Sequence, residues 1–411
     1  MNRYEKVSHV GLDCHRNFTQ MTARDSGNAV LFRQRLEHGD RAQMRQTLER
    51  FPDGTPFLLE GTFGWGWMAD ELKVCRQDPH LASSRKVAAW REARGIAKSN
   101  KIDADLLSEL WPQQPRWWEV WLAPQAVRDE RELLRYRMGL VAVQTMTKNR
   151  IHALLHRHGI LNPYSDLFGV KGRALLKTLI EADEPLRATA RLTLAGHVRL
   201  LERVRQQIAA ATRVVRRQVG RQEQAKLWQS LPGVGWILAH TIHAEVGDAH
   251  RFASGRRLSS YSLLAPKADD SGDDDGSTPV GRHVGHAGRR TLKWAFIEAA
   301  RGAVRKKDPL FAGIFSRRTD GGKKDKNRGY VAVARKLAEV GLSCVKHERP
   351  YSITPPPRPG SRPEEHTAQE ALPGKKKRQR VADKQRSSDP GQGQPDHPMA
   401  AAGPCGVRAS S

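Results

Sequence analysis

The first 125 residues of this chain alternate strand and helix signals, and that alternation restricts them to sheet-containing α/β architectures. Residues 7–13, 17–24 and 29–36 each read as a strand, with Asp25-Ser-Gly-Asn28 as the turn between the last two. Residues 41–51 carry a helix signal, 57–60 an apolar run ending on Glu60, and 64–74 a second helix despite Gly64 and Gly66. The order β-β-β-α-β-α predicts a mixed sheet.

Two of these strands end on an acid. Asp13 closes Val7-Ser-His-Val-Gly-Leu-Asp13, and Glu60 closes Pro56-Phe-Leu-Leu-Glu60. A third acid, Asp103, lies at a predicted helix start in Lys98-Ser-Asn-Lys-Ile-Asp103-Ala-Asp105. Val10 and Leu12 should pack into the core while Gly11 and Asp13 face the other side, Gly11 leaving room for a substrate backbone. Acids at strand ends also serve as caps and turn formers, so neither one alone specifies chemistry. With Asp103 they make a set of oxygen ligands for hard divalent cations, Mg²⁺ or Mn²⁺. Two such cations can clamp the attacking and leaving oxygens of a phosphodiester. The fourth ligand is open: Asn100 would share a helix face with Asp103 but brings no charge, whereas Asp105 brings charge from a less favourable direction.

The chain carries 70 Lys+Arg against 44 Asp+Glu, a formal net charge of +26. Such an excess attracts phosphate polyanions and weakens with salt, so a nucleic-acid partner is expected. Cys14, Cys75, Cys344 and Cys405 form no CxxC pair and no His/Cys cluster, which argues against a zinc site or a disulfide framework and fits a reducing compartment. Met-Asn-Arg-Tyr-Glu-Lys opens no signal-peptide core, and no apolar stretch approaches spanning length. A cytoplasmic, nucleoid-associated protein with no membrane partner is therefore expected.

Beyond residue 125 the texture changes. Leu133, Leu134, Met138, Val141, Met146, Ile151, Leu154 and Leu155 recur at three- and four-residue spacings, and Leu192 through Val215 repeats the pattern after a loop around Asn162-Pro-Tyr-Ser. This predicts two long amphipathic helices, a hairpin or coiled-coil arm over 126–221, whose apolar stripe is core or dimer contact. Residues 222–348 form a third block. There Leu231-Pro-Gly-Val-Gly235, followed by a helix over 236–246, has the shape of a helix-hairpin-helix turn. Gly233 and Gly235 would let backbone N–H groups approach a DNA phosphate, or simply make a tight turn between packed helices. From 349 onward the chain is rich in Ser, Gly, Pro and Gln around Lys375-Lys-Lys-Arg-Gln-Arg380, which predicts a disordered basic tail.

An acidic cluster, Asp269-Asp-Ser271-Gly272-Asp-Asp-Asp-Gly276, interrupts the third block. Aligned as an EF-hand on Gly276, its first position is Ser271 and its twelfth Arg282, where an acid and a Glu are needed, so calcium is excluded. What remains is a Gly-flexible loop presenting Ser271, followed by Arg282, His283, His286, Arg289, Arg290 and Lys293. A serine hydroxyl beside cations able to stabilise a phosphorane-like transition state can attack DNA; the same pattern also describes a linker serine.

Taken together, these residues resemble the DEDD-type insertion-sequence transposases, the bridge-RNA-guided serine recombinase family. Val10-Gly-Leu-Asp13 is similar to that family's first strand and first acid, Glu60 to its second, and Lys98 through Asp105 to its Lys-Thr-Asp-Arg-x-Asp-Ala block. Leu231 through Gly235, Ala244-Glu-Val-Gly-Asp248, Arg251-Phe252, Leu264-Ala-Pro266, Ser271-Gly272 and Gly288-Arg-Arg-Thr-Leu292 follow its C-terminal domain in order. The resemblance implies an RNase H-like (RuvC-like) catalytic domain over 1–125, a helical arm for dimerisation over 126–221 and a small, mostly helical transposase domain over 222–348. The tail, 349–411, lies outside it.

The resemblance also implies that Asp13, Glu60 and Asp103 hold Mg²⁺ beside the scissile phosphate, and that Ser271 forms a transient 5′-phosphoserine link to DNA. Gly233, Gly235, Arg282, Arg289, Arg290 and Lys293 are the expected DNA contacts. Implied partners are element-end and target DNA, a structured non-coding guide RNA, and further copies of the chain in a homodimer or higher oligomer. Where the family commonly has an acid, this chain has Asn100: either Asn100 ligates weakly, Asp105 substitutes, or the copy is impaired. A water-using RuvC-like structure-specific endonuclease and a non-catalytic nucleic-acid-binding relic are the competing readings.

Overall fold

Local signals in the first 125 residues produce the elements they predict, with ends shifted by at most three residues. In the computed structural model these are β1 (His9–Cys14), β2 (Phe18–Arg24), β3 (Val30–Glu37), α1 (Arg41–Leu48), β4 (Pro56–Glu60) and α2 (Trp65–Val74). They continue as β5 (Asp78–Ala82), α3 (Ser84–Ala93), α4 (Asn100–Glu109), α5 (Pro115–Trp118) and β6 (Glu119–Val120). The structure describes residues 3–62, 64–96, 100–113, 115–219, 222–267, 283–284 and 289–353. The predicted serine loop with Ser271 and Arg282, residues 354–411 of the tail, and Lys98 and Ser99 lie outside the described residues, as does the Asn100 side chain. The start of the predicted tail is ordered instead: the Tyr351 N–H donates to Ser230 Oγ at 2.8 Å and its ring packs on the helical core.

One six-stranded sheet has the order β3-β2-β1-β4-β5-β6. β1, β2 and β3 form an antiparallel meander, β4 and β5 run parallel to β1, and β6 closes the edge antiparallel to β5. The turn between β2 and β3 uses Asn28 at φ 68, and Asp25 accepts a hydrogen bond from the Ala29 N–H at 2.8 Å. Both faces of the sheet are covered, which is why β4 reads as a continuous apolar run. Val10, Leu12, Met21, Phe57 and Leu59 pack with Met44, Leu48, Met68 and Leu72 of α1 and α2. Leu58 and Ala82 pack on the opposite face with Val87 of α3, Leu106 and Leu107 of α4, and Trp118.

Two strands escape the sequence pattern. Asp78-Pro-His-Leu-Ala82 has no clean alternation and carries Pro79, which argues against a central strand. The register resolves this: β6 pairs only with Leu81 and Ala82, so β5 has one neighbour at Pro79 and can do without its N–H there.

Gly11 also departs from expectation. A Cβ there would lie 2.4 Å from both the Ala104 carbonyl oxygen and the Ser108 nitrogen of α4. The space Gly11 leaves is taken by helix backbone and not by substrate.

In the middle of the chain, α6 (Gln125–Arg157) and α8 (Ala188–Val219) are the two long helices, each about 50 Å long at 1.5 Å per residue. They run back along one another: Leu134 meets Val215 at one end, and Ile151 packs with Leu194 and Leu201 towards the other. The connection holds a further helix, α7 (Val170–Glu181), whose Leu176 and Leu179 complete that cluster. The sequence reading has only a loop there.

The remainder comprises α9 (Glu223–Gln229), α10 (Trp236–Val246), α11 (Gly255–Tyr261), the short pair β7 (Pro266–Lys267) and β8 (His283–Val284), α12 (Arg290–Arg305), α13 (Pro309–Thr319) and α14 (Lys326–Lys346). Leu292, Ala295, Phe296, Ala299, Ala300 and Ala303 give α12 a buried stripe at helical spacing, against which Trp228, Leu337 and Leu342 pack. Small residues let backbones approach: a Cβ on Gly341 would lie 2.3 Å from the Trp228 ring. Among the described residues no helix is long and apolar enough to cross a membrane.

Gly11→Ala should destabilise the chain by about 1–3 kcal/mol, the usual cost of overpacking a close contact. Thermal melts of the variant would show this. An unchanged melting temperature would mean that α4 does not rest on β1 as described.

Candidate active site

Parallel pairing sets the first two acids side by side. Leu12 of β1 is opposite Leu59 of β4, so Asp13 and Glu60 come next at the carboxyl ends of adjacent strands, on the face covered by α3 and α4. Asp103 lies in the first turn of α4, the helix that rests on Gly11. Asp13 and Asp103 are buried, and Glu60 is half-buried.

The electrostatics show that the three share one neighbourhood. Burial pushes the Glu60 carboxyl above its ordinary range, and the negative charges of Asp13 and Asp103 push it further; hydrogen bonding to Ser84 and the charge of Arg91 work against them. Arg91 Nη2 stands 2.7 Å from Asp103 Oδ1, and His15 Nε2 stands 2.9 Å from Asp13 Oδ2. Arg91, Ser84 and His15 were not singled out by sequence. Only Ser84 carried a signal, since Ser83-Ser84 marks a helix start.

Of the two candidates for a fourth ligand, Asp105 is engaged elsewhere. It accepts hydrogen bonds from Thr22 Oγ1 at 2.6 Å, Arg33 Nε at 2.8 Å and Arg33 Nη2 at 2.7 Å. Burial alone would raise its pKa, but the bonds from Arg33 and Thr22 and the charges of Arg33 and Arg24 outweigh it and hold the carboxyl below the usual range. Asp105 therefore faces β2 and β3, on the opposite side of β1 from Glu60. Asn100 begins α4, three residues before Asp103.

The donor set suits a hard divalent cation: all three groups are carboxylates, and their mutual repulsion disfavours charge on Glu60. Among the described residues no group of three or more His, Cys, Asp or Glu side chains is set to hold a metal ion.

A cleft of about 620 Å³ opens beside these acids. One wall is Gly61, Ala82, Ser83 and Ser84 at the carboxyl ends of β4 and β5, and Arg131, Arg251, Tyr261 and Arg289 line it from the helical part of the chain. Arg289 is the one predicted DNA contact in this wall. Arg290 is exposed at the start of α12, and Lys293 is half-buried one turn on. Gly233, at φ 82, is spent on packing: a Cβ there would lie 2.3 Å from Ala299 O and Ala303 N of α12. Gly235, before α10, has open space where a Cβ would be.

Comparison with known proteins bears on what such a chain belongs to. Residues 225–316 match the family model of the transposase IS116/IS110/IS902 family. The chain is 27% identical over 356 residues to the transposase for insertion sequence element IS1111A of Coxiella burnetii, covering 84% of this chain and 91% of that protein. It is 26% identical over 305 residues to the transposase for insertion sequence element IS1328 of Yersinia enterocolitica, covering 72% and 83%. A shorter similarity, 27% over 128 residues, covers 31% of this chain and 38% of the pilin gene-inverting protein of Moraxella bovis. These similarities support an enzyme acting on DNA, a transposase or recombinase.

The raised Glu60 pKa has a thermodynamic consequence. The folded state binds a proton there more tightly than the unfolded chain does, so this contribution to stability is full below the ordinary carboxylate range and is lost as pH rises through the raised value. Glu60→Gln should therefore gain stability over wild type on going from acid to neutral pH in the absence of divalent cations. Added Mg²⁺ should stabilise wild type more than the variant. Melts across pH with and without Mg²⁺ check both; a pH-independent difference would mean Glu60 is not held among like charges.

Proposed function

We propose that this chain is an insertion-sequence transposase that cuts and rejoins DNA, using an RNase H-like (RuvC-like) carboxylate site and the hydroxyl of Ser271, with a structured non-coding RNA guiding the choice of sequence. One observation carries the reading: Asp13 and Glu60 end adjacent parallel strands, with Asp103 on the helix that crosses them. The strand order β3-β2-β1-β4-β5, with only the first three antiparallel, supports the RNase H-like assignment.

In this reading Asp13, Glu60 and Asp103 hold Mg²⁺ or Mn²⁺, with Asn100 as the remaining candidate fourth ligand, since Asp105 is committed to Arg33. When bound, the metal neutralises charge developing on the phosphodiester oxygens. Ser271 supplies the nucleophile: its oxygen bonds to the 5′ phosphate, the bond to the 3′ oxygen breaks, and the serine proton leaves to solvent or a base. Reversal by a second 3′ hydroxyl rejoins the strands. The role of Ser271, the guide RNA and pairing of copies through the α6–α8 arm rest on the family resemblance. A basic chain of net charge +26 suits both polyanions.

Adduct trapping tests the reading. Wild type and Ser271→Ala would be incubated with element-end DNA, the flanking RNA and Mg²⁺, then run on a denaturing gel. An adduct that needs Ser271 and the RNA is the expected result. Metal-dependent nicking without any adduct, equal in both proteins, would instead make this a water-using endonuclease.

Asp13→Asn should abolish cleavage and leave DNA binding intact, because it removes charge at the metal and not on the basic surface. Joint loss of binding and cleavage in a filter-binding and nicking assay would make Asp13 structural.

A further inference from the structure

The cleft wall that faces Gly61, Ser83 and Ser84 is built more elaborately than a basic surface needs. Arg289 Nε donates to the Tyr261 hydroxyl at 2.9 Å, and the Arg289 N–H donates to the Tyr261 carbonyl at 3.1 Å. Arg251 anchors on the Val246 carbonyl through Nε at 3.1 Å and Nη2 at 3.0 Å, with its guanidinium 4.6 Å from the Tyr261 ring centroid. Arg131, itself buried, donates to the carbonyls of Ala244 and Glu245. The guanidiniums of Arg131 and Arg251 lie 5.3 and 4.5 Å from the Trp121 ring centroid, and that ring fills the notch left by Gly247.

Three guanidiniums from α6, the loop after α10 and the start of α12 thus converge on one phenol. Among the described residues no carboxylate forms a salt bridge with Arg251 or Arg289, although the charge of Asp248 acts on Arg251; near Arg131 are Glu130 and Glu245, the latter 3.9 Å away and bound bidentately by Arg135. Burial would raise the Tyr261 pKa, yet the charges of Arg289 and Arg251, the bond from Arg289 and the charge of Arg131 bring it below the usual phenol range. That is the signature of a concentrated positive field. Desolvated cations without a counterion are costly unless an anion joins them.

We propose that Arg251, Arg289 and the Tyr261 hydroxyl, with Arg131 behind them, form a phosphate pocket that seats a nucleic-acid backbone phosphate in the cleft at the carboxyl ends of β4 and β5. The proposal rests on the reading of the chain as one that acts on DNA, and it assigns a substrate contact in that cleft. Anchored guanidiniums present donors in a fixed fork suited to phosphate oxygens. The hydroxyl adds a further donor.

Two readouts that involve no strand cleavage test it on the full chain. In thermal melts at constant ionic strength, inorganic phosphate should stabilise wild type over chloride, and Arg289→Gln should lose that gain. In salt titrations of duplex DNA binding, Arg289→Gln should lower the log–log slope by about one, a roughly fourfold smaller loss of affinity between about 50 and 200 mM salt. Arg289→Lys should keep the slope, and Tyr261→Phe should weaken binding at unchanged slope.

Lost phosphate protection with an unchanged DNA slope would retain the pocket and assign it to a free phosphate or phosphomonoester. Equal phosphate protection and equal slopes in wild type and Arg289→Gln would overturn the proposal and leave the arginines as an interface clamp. A chain that never forms an adduct at Ser271 but shows the slope change would lose the transposition reading and keep the pocket.

Discussion

The contact of α4 on Gly11 is the constraint on which the rest of the site depends. No other residue lets a helix backbone come within 2.4 Å of where a Cβ would be. With α4 seated there, Asp103 in its first turn lies over the ends of β1 and β4. The seat is fixed from the other side by arginines of β2 and β3. Arg24 donates to Ser108 Oγ at 2.7 Å and pairs with Glu109, and Arg33 grips Asp105. Arg33 is exposed enough that its pair adds modestly to stability; its effect is to fix the rotation of the helix. Asp105 and Asp103, two residues apart, thus face different sides for different purposes.

Gathering carboxylates at strand ends works against folding, and the structure shows how the conflict is contained. Arg91 supplies positive charge to Asp103 and His15 stands beside Asp13, while Glu60 is left to resist ionisation. Such local strain is expected where activity and stability pull apart. The same logic holds across the cleft with signs reversed, where cations surround Tyr261. On the acid side it is Glu60 that resists ionisation, and on the other the guanidiniums around Tyr261 lack a salt bridge of their own apart from Arg131. A divalent cation on one side and a phosphate on the other would satisfy both.

Most of this sheet was legible because its signals are local. Alternation fixed β1, β2 and β3, the apolar run fixed β4, and acids at two strand ends named Asp13 and Glu60 before any pairing was known. What could not be read depends on pairing. β5 is a strand despite Pro79 because β6 is too short to reach that residue. Asp105 is a clamp because β3 brings Arg33 from 72 residues away. Gly11 accommodates a helix from some 90 residues further on, which no strand pattern reveals. Of the cleft arginines, Arg289 was readable as a DNA contact and Arg251 only as part of the family resemblance; in a chain with 70 basic residues, Arg131 has nothing local to distinguish it.

The link between the sheet and the helical part of the chain follows from the same buried charges. Glu245 is almost fully buried and is held by both Nε and Nη2 of Arg135 at 2.7 and 2.8 Å, while Arg131 caps the carbonyls at the end of α10. Replacing such a cluster by apolar residues would often cost little, but breaking one partner leaves a charge stranded. Its value therefore lies in geometry: it fixes the base of α6 against α10, and Trp121 lodged at Gly247 fixes the edge of the sheet against the same point. Acids alone would repel a polyanion from the sheet edge. On the proposed reading, a cationic wall held by α6, α10 and α12 would offset that repulsion, which would make the position of Arg131, Arg251 and Arg289 as important as the acids.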